Sequence, residues 1–341
     1  MKILSALFYK YINLLPDIVA DYIFDFIIGK KVDMFNEIKE YRDLFSPYDQ
    51  IKLPTGNLYN KNIVNKRTIV IHVGYGHTGS SSLQEEFNKL DNLIYHGKPY
   101  KAELFKKAIF EICYSNSDNY NSLKVKEIIK EQLNGFSKDN MIHLLSAEDF
   151  TTPNTGAFGF QLVDPYLITK RIEDIFSDFN IKILFTIRKQ SFILRSEYYQ
   201  YKKILKAKGL KCPCKHRYLL DIIFDMKGNM HTPADVYNFN KVIPRYINFY
   251  GSENVKILPF ELFQNDQKTY LQELSHFISN TSNSITLTQL PRINKSKGGF
   301  WRKNALSFIQ EHYRHSNSDL YEKILDIKPK EANYLTKYEY F

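Results

Sequence analysis

The sequence predicts a mixed α/β protein: a central parallel sheet covered on both faces by helices, with helical additions at both ends. Three observations predict it. Apolar, β-branched runs at 67–73, 141–146 and 181–187 read as buried strands. Helical patterns alternate with them, which is the order of a parallel sheet with crossover helices. Each run also ends in polar chemistry: glycines after the first, Glu148 after the second, Arg188 at the end of the third. Strand ends of such a sheet share one crevice, so these groups converge.

The chain has 341 residues, enough for a sizeable core in one or two domains. The simplest division is a domain over 67–300, a helical extension and connector at 1–66, and a helical tail at 301–341. The N-terminal stretch is apolar, but Lys10, Pro16, Asp17, Asp21 and Asp25 interrupt it. It is therefore neither a signal sequence nor a spanning helix. The three aspartates recur every four residues and share one helical face. Two readings stand: helices packed on the body, or a peripheral helix touching a membrane or partner.

Residues 31–66, with Pro54 and Gly56, read as the connector into the first strand. A helix follows that strand at about 79–90, then helices near 101–113 and 121–134. After the 141–146 strand comes a loop rich in glycine, threonine and asparagine at 151–159. A helix at 164–178 leads into the third strand, and another runs from Gln190 to about Lys206. Residues 207–236 break the pattern and read as an insertion. Helices resume at 237–250 and 267–279, and 300–328 is helical and amphipathic. Tyr334, Tyr338, Tyr340 and Phe341 close the chain, packed or frayed.

The net charge is +10 and the pI about 9.1. Lysines alternate with acids, with no long basic run and no nucleic-acid motif. Anionic small-molecule or glycan substrates fit this balance better than nucleic acid. Three cysteines exclude a disulfide scaffold and fit a reducing, cytoplasmic compartment.

The chemistry concentrates in residues 69–84, Ile-Val-Ile-His-Val-Gly-Tyr-Gly-His-Thr-Gly-Ser-Ser-Ser-Leu-Gln. A strand, a glycine turn and a helix make a phosphate cradle: backbone N–H groups approach an anion, and the helix N-terminus adds positive potential. Thr78, Ser80 and Ser81 add hydroxyls. Gly74 and Gly79 have the spacing of a nucleoside-triphosphate loop, but Ser80 stands where its lysine belongs. That departure opposes ATP or GTP hydrolysis and weakens the rival reading of a sugar or small-molecule kinase.

The segment from His72 to Gln84 resembles the 5′-phosphosulfate loop of sulfotransferases that use 3′-phosphoadenosine-5′-phosphosulfate (PAPS), particularly bacterial carbohydrate-type members. The likeness continues through 141–150, through Arg188 and Ser196 eight residues apart, and through 255–263. It ends in the basic, glycine-containing loop at 292–299. The resemblance implies a P-loop-type three-layer α/β/α fold and sulfuryl transfer from PAPS to a glycan hydroxyl, with no metal required. Gly76, His77, Thr78, Gly79, Ser80 and Ser81 would hold the phosphosulfate. Arg188 and Ser196 would hold the 3′-phosphate, helped by Lys297 and Gly298 from the late loop. An arginine fork suits that phosphate.

One position departs from the family: His77 replaces its loop lysine. A histidine, with an ordinary pKa near ~6.5, is expected to be cationic beside phosphates and to share the lysine's work. The other reading is a homologue that kept nucleotide binding and lost transfer. Glu148 is the expected general base for the acceptor hydroxyl. Asp149 and His96 are its rivals. His72 reads as a core histidine, and Glu261 as a structural hydrogen-bonding residue. Cys212, Cys214 and His216 form at most half a zinc site, completed only if His231 or Cys113 joined them. Ordinary thiols are the preferred reading.

Overall fold

The structure, a computed structural model, describes residues 67–97, 103–115, 120–134, 141–151, 165–224, 233–279, 284–291 and 301–340, with residues 19, 20, 22, 23, 25 and 26. Five parallel strands form one sheet in the order β2-β3-β1-β4-β5. They are β1 (Thr68–His72), β2 (Leu93–Tyr95), β3 (Ile142–Ser146), β4 (Asn180–Ile187) and β5 (Val255–Pro259). Every residue of β1 and β3 is buried. Successive side chains point to opposite faces, so both faces are covered and the architecture is three-layer α/β/α.

Before β4 the helices are α1 (Ser80–Phe87), α2 (Glu103–Tyr114), α3 (Ser122–Asn134) and α4 (Pro165–Phe176). After β4 come α5 (Gln190–Ala207), α6 (Lys215–Phe224) and α7 (Phe239–Tyr250). The chain finishes with α8 (Phe260–Asn265), α9 (Gln267–Ile278), α10 (Lys303–Leu325) and α11 (Pro329–Lys337). Three elements differ from expectation: Leu93–Tyr95 forms an edge strand, α6 lies within the stretch read as an insertion, and a 3-10 turn spans Pro233–Tyr237.

The strand order places the functional crevice. From β1 the chain steps out to β2 and back to β3 on one side, then to β4 and β5 on the other. The segments leaving β1, β3 and β4 therefore meet at the point where the order reverses. Register ties them: His72 lies opposite Ser146 of β3 and Leu184 of β4. Past the end of β1 the pairing continues, with Val73 N donating to Leu184 O at 2.9 Å and Tyr75 N to Thr186 O at 3.1 Å.

The C-terminal tail packs. Tyr338 and Tyr340 are buried, and Lys256 of β5 holds α9 through Glu273 (2.7 Å) and α11 through Glu331 (3.2 Å). At the other end Asp25 reaches α10, accepting from Ala305 N at 2.9 Å and capping that helix. Most of residues 1–66, and the loop expected at 151–159 beyond Thr151, lie outside the described residues. No helix among the described residues is long and apolar enough to cross a membrane.

Candidate functional site

The glycine loop leaves β1 over a buried chain of side-chain hydrogen bonds whose proton order is fixed. Thr78 donates its hydroxyl to Tyr75 O at 2.6 Å. A hydroxyl has one proton, so the 2.8 Å contact between Thr78 and Thr186 is Thr186 donating. That spends the Thr186 proton, so His72 Nε2–H donates to Thr186 at 2.9 Å. His72 Nδ1 must then accept, from the Ser146 hydroxyl at 2.8 Å. Ser146 in turn accepts from Gln84 Nε2 at 3.1 Å. The chain joins β3, β1, β4 and the loop through one neutral imidazole. His72 is the core histidine that its sequence position predicts.

Burial lowers the His72 pKa from 6.5 to about 4. His96 and His143, stacked with 3.0 Å between their ring nitrogens, are lowered by burial to about 3 and about 4. As pH falls below the unfolded value, the unfolded chain takes up these protons first. Stability is therefore full above about pH 6.5 and falls steadily towards pH 4. Each such histidine costs about 1.4 kcal/mol per pH unit near pH 5. Urea unfolding at pH 7 and pH 5 is expected to show a much lower midpoint at pH 5. An unchanged midpoint would contradict the neutral chain.

The loop glycines have different duties. Gly79 has φ of 86°, the left-handed conformation that ends the turn before α1. A side chain there would also meet the Phe260 ring, 2.6 Å from the added carbon. At Gly76 an added carbon would find only Glu197 Oε1, at 3.5 Å. No side chain caps α1; Ser82 N turns back to Gly79 O at 3.0 Å, and the helix N-terminus follows the glycine turn directly.

His77 also has positive φ, 65°. Its Nε2 lies 3.4 Å from Glu197 Oε1, and its backbone oxygen accepts from Arg188 Nη1 at 2.9 Å. Arg188, at the end of β4, is stacked between the Phe260 ring (4.7 Å) and the Phe192 ring (5.3 Å). Burial lowers its pKa, and the nearby Glu261 carboxylate opposes that shift. Its Nε is buried with no hydrogen-bond partner. A buried charged donor without an acceptor marks a place for an anion.

Ser196, two turns into α5, donates to Phe192 O at 3.0 Å. Ser80, at the start of α1, donates to Glu148 Oε1. Glu148 thus sits against the loop helix, at the crevice end of β3. Asp149 instead accepts from Tyr114 at 2.8 Å. Glu261 accepts from Lys189 N at 3.1 Å and from Tyr340 at 2.7 Å, which fixes the turn behind Arg188. Ser81 is exposed on the first turn of α1.

Lys297, Gly298 and His231 lie outside the described residues. Cys113, Cys212 and Cys214 are not disulfide-bonded. His216 lies 3.5 Å from Asp25 Oδ1. Among the described residues no cluster of three or more His, Cys, Asp or Glu is arranged to hold a metal.

Sequence reasoning missed Glu197, Tyr237, Thr186 and the role of Phe260. Only Glu197 had a local signal, a carboxylate beside Ser196. The other three reach the loop through tertiary contacts that no spacing encodes.

A solved structure shares this fold. The chain is similar to a sulfotransferase from Alicyclobacillus acidocaldarius at 13% identity and TM-score 0.50, over 76% of this chain and 96% of that one. It is also similar to a mouse sulfotransferase complexed with PAP, at 10% identity and TM-score 0.38, over 80% and 89% of the two chains. A sulfotransferase domain from a Synechococcus olefin synthase matches at 9% identity and TM-score 0.36, over 74% and 97%. No family model and no curated protein matches the chain.

Proposed function

We propose that the chain transfers a sulfuryl group from PAPS to a hydroxyl, on a glycan such as a capsular or envelope saccharide. The observation that carries this reading is Arg188: a half-buried cation at a strand end, bonded to the phosphate loop and keeping a buried, unpartnered Nε. A second phosphate beside the first satisfies that donor. A nucleotide with a single 5′-phosphorylated end does not require it. The kinase alternative lacks its lysine, and Ser80 in that place gives its proton to Glu148.

In this reading Gly76 to Ser81 hold the phosphosulfate, with backbone N–H groups and with the Ser80 hydroxyl once it turns from Glu148. Arg188 and Ser196 hold the 3′-phosphate, with Lys297 and Gly298 as helpers. A phosphosulfate oxygen competes for the Ser80 proton, which leaves Glu148 with open lone pairs beside the reacting group. Glu148 then takes the acceptor proton as the acceptor oxygen attacks sulfur. No metal is required.

The end of α5 and the 207–236 insertion, read as the acceptor side, are basic and suit an anionic acceptor. Lys203, Lys206, Lys208 and Lys211 are exposed along the end of α5 and beyond. No acidic residue occurs between Glu197 and Asp221. Peripheral membrane contact at the cytoplasmic face is supported by the N-terminal stretch. Val19, Tyr22 and Phe26 are exposed there while Ala20 is buried and Asp25 turns inward.

Calorimetry with PAP, AMP and ATP tests the reading. PAP is expected to bind at least tenfold more tightly than AMP, the smallest gain that one charge-assisted phosphate contact supplies. Equal binding of all three would remove the 3′-phosphate site and with it the proposed donor.

A further inference from the structure

We infer that Glu197, anchored by Tyr237, positions His77 for catalysis, so that a carboxylate–imidazole pair does the work of the lysine this loop lacks. The inference rests on the sulfotransferase reading above.

A loop lysine is a flexible point charge that reaches an anion without help. A histidine is short and planar, and only one ring orientation aims a nitrogen at a given oxygen. Something must therefore hold the ring. His77 Nε2 lies 3.4 Å from Glu197 Oε1. The same oxygen accepts from the Tyr237 hydroxyl at 3.1 Å. It also lies 3.5 Å from the side-chain direction of Gly76, so the carboxylate lines the loop itself.

The anchor is rigid. Tyr237 is buried, its ring packs against Tyr75 of the loop with centroids 6.0 Å apart, and its backbone oxygen accepts from Gln190 Nε2 at 3.3 Å. Glu197 lies on α5 directly after Ser196, so the segment assigned to the 3′-phosphate also aims the residue assigned to the 5′ end. A carboxylate serving only solubility would point away from an anion site. This one faces the loop, hydrogen-bonded by a buried phenol.

The two carboxylates then divide the chemistry. The sulfur–oxygen bond to the 5′-phosphate breaks and its electron pair goes to the phosphate oxygen. The acceptor oxygen bonds to sulfur, and its proton passes to Glu148. His77 donates a hydrogen bond to the leaving oxygen. Glu197 takes up no proton and touches no reacting atom; it is a positioning residue.

The test measures PAP binding by calorimetry and PAPS cleavage to PAP and sulfate, with water as acceptor, on wild type, Glu197→Gln, His77→Gln and the double variant. Glu197→Gln is expected to lower kcat at least tenfold while KM for PAPS and affinity for PAP stay within threefold. A merely structural loss would move all three. The double variant is expected to be no slower than His77→Gln alone. Tyr237→Phe leaves Glu197 charged but unanchored, serves if Glu197→Gln fails to fold, and is expected to lower kcat about threefold. Wild-type kcat in the Glu197 variant, or losses that multiply in the double variant, would overturn the inference. So would a wild type that binds PAP yet cleaves no PAPS. A wild type with no preference for PAP over AMP defeats the sulfotransferase reading instead.

Discussion

Arg188→Ala is expected to bind PAP about a hundredfold more weakly, with affinity for AMP falling only a few fold. Two contributions separate in that result. Charge-assisted hydrogen bonds to a phosphate in a partly buried site are worth about 1.5–3 kcal/mol, the upper end of which is about a hundredfold. That loss falls on the ligand carrying the 3′-phosphate. The smaller loss falls on every ligand, because Arg188 Nη1 also holds His77 O at 2.9 Å and steadies a backbone with φ of 65°. Arg188→Lys sharpens the test. Lysine keeps the charge but not the fork, and it cannot hold His77 O and a phosphate together. It is expected to recover less than a tenth of the lost PAP affinity. Thermal unfolding of each variant controls for the packing of Phe192 and Phe260 around the guanidinium. If both variants stayed folded and kept the PAP preference, Arg188 would not be the 3′-phosphate ligand.

The parts of the site legible in the sequence are those whose chemistry is local. A strand, a glycine turn and a hydroxyl-rich first helical turn are contiguous, so residues 69–84 announce a phosphate cradle. Arg188 and Ser196 are legible because one lies at a strand end and the other two turns into the following helix. The edge strand Leu93–Tyr95 is three residues long, too short for alternation to register. Helix α6 was obscured because Cys212-Pro213-Cys214 precedes it and cations crowd its first turn. The Thr186–Thr78–His72 chain joins residues more than a hundred positions apart. Each of those residues alone reads as an ordinary buried polar group. Only the sheet order, with β1 between β3 and β4, brings them together.

That chain makes Gly74→Ala the substitution with the largest expected effect on stability, about 2–6 kcal/mol. The reason is space and not backbone freedom, since Gly79 carries the left-handed conformation of this turn and Gly74 does not. An added carbon at Gly74 collides with Thr186 Oγ1 and lies 2.5 Å from His72 Nε2. Neither neighbour is a flexible tip. Thr186 is held by its backbone oxygen to Tyr75 N at 3.1 Å, and the His72 ring is fixed between Ser146 and Thr186. Relief requires breaking at least one buried hydrogen bond, at about 1–3 kcal/mol, and adds overpacking strain of about 1–3 kcal/mol. Gly76→Ala is the matched control, because an added carbon there meets only Glu197 Oε1 at 3.5 Å. It is expected to change unfolding stability by less than about 1 kcal/mol. Removing the colliding hydroxyl should recover part of the loss, so Gly74→Ala with Thr186→Ala is expected to be more stable than the sum of the two single changes predicts. Additive losses would mean that the first glycine of the loop answers to something other than the hydrogen-bonded pair beneath it.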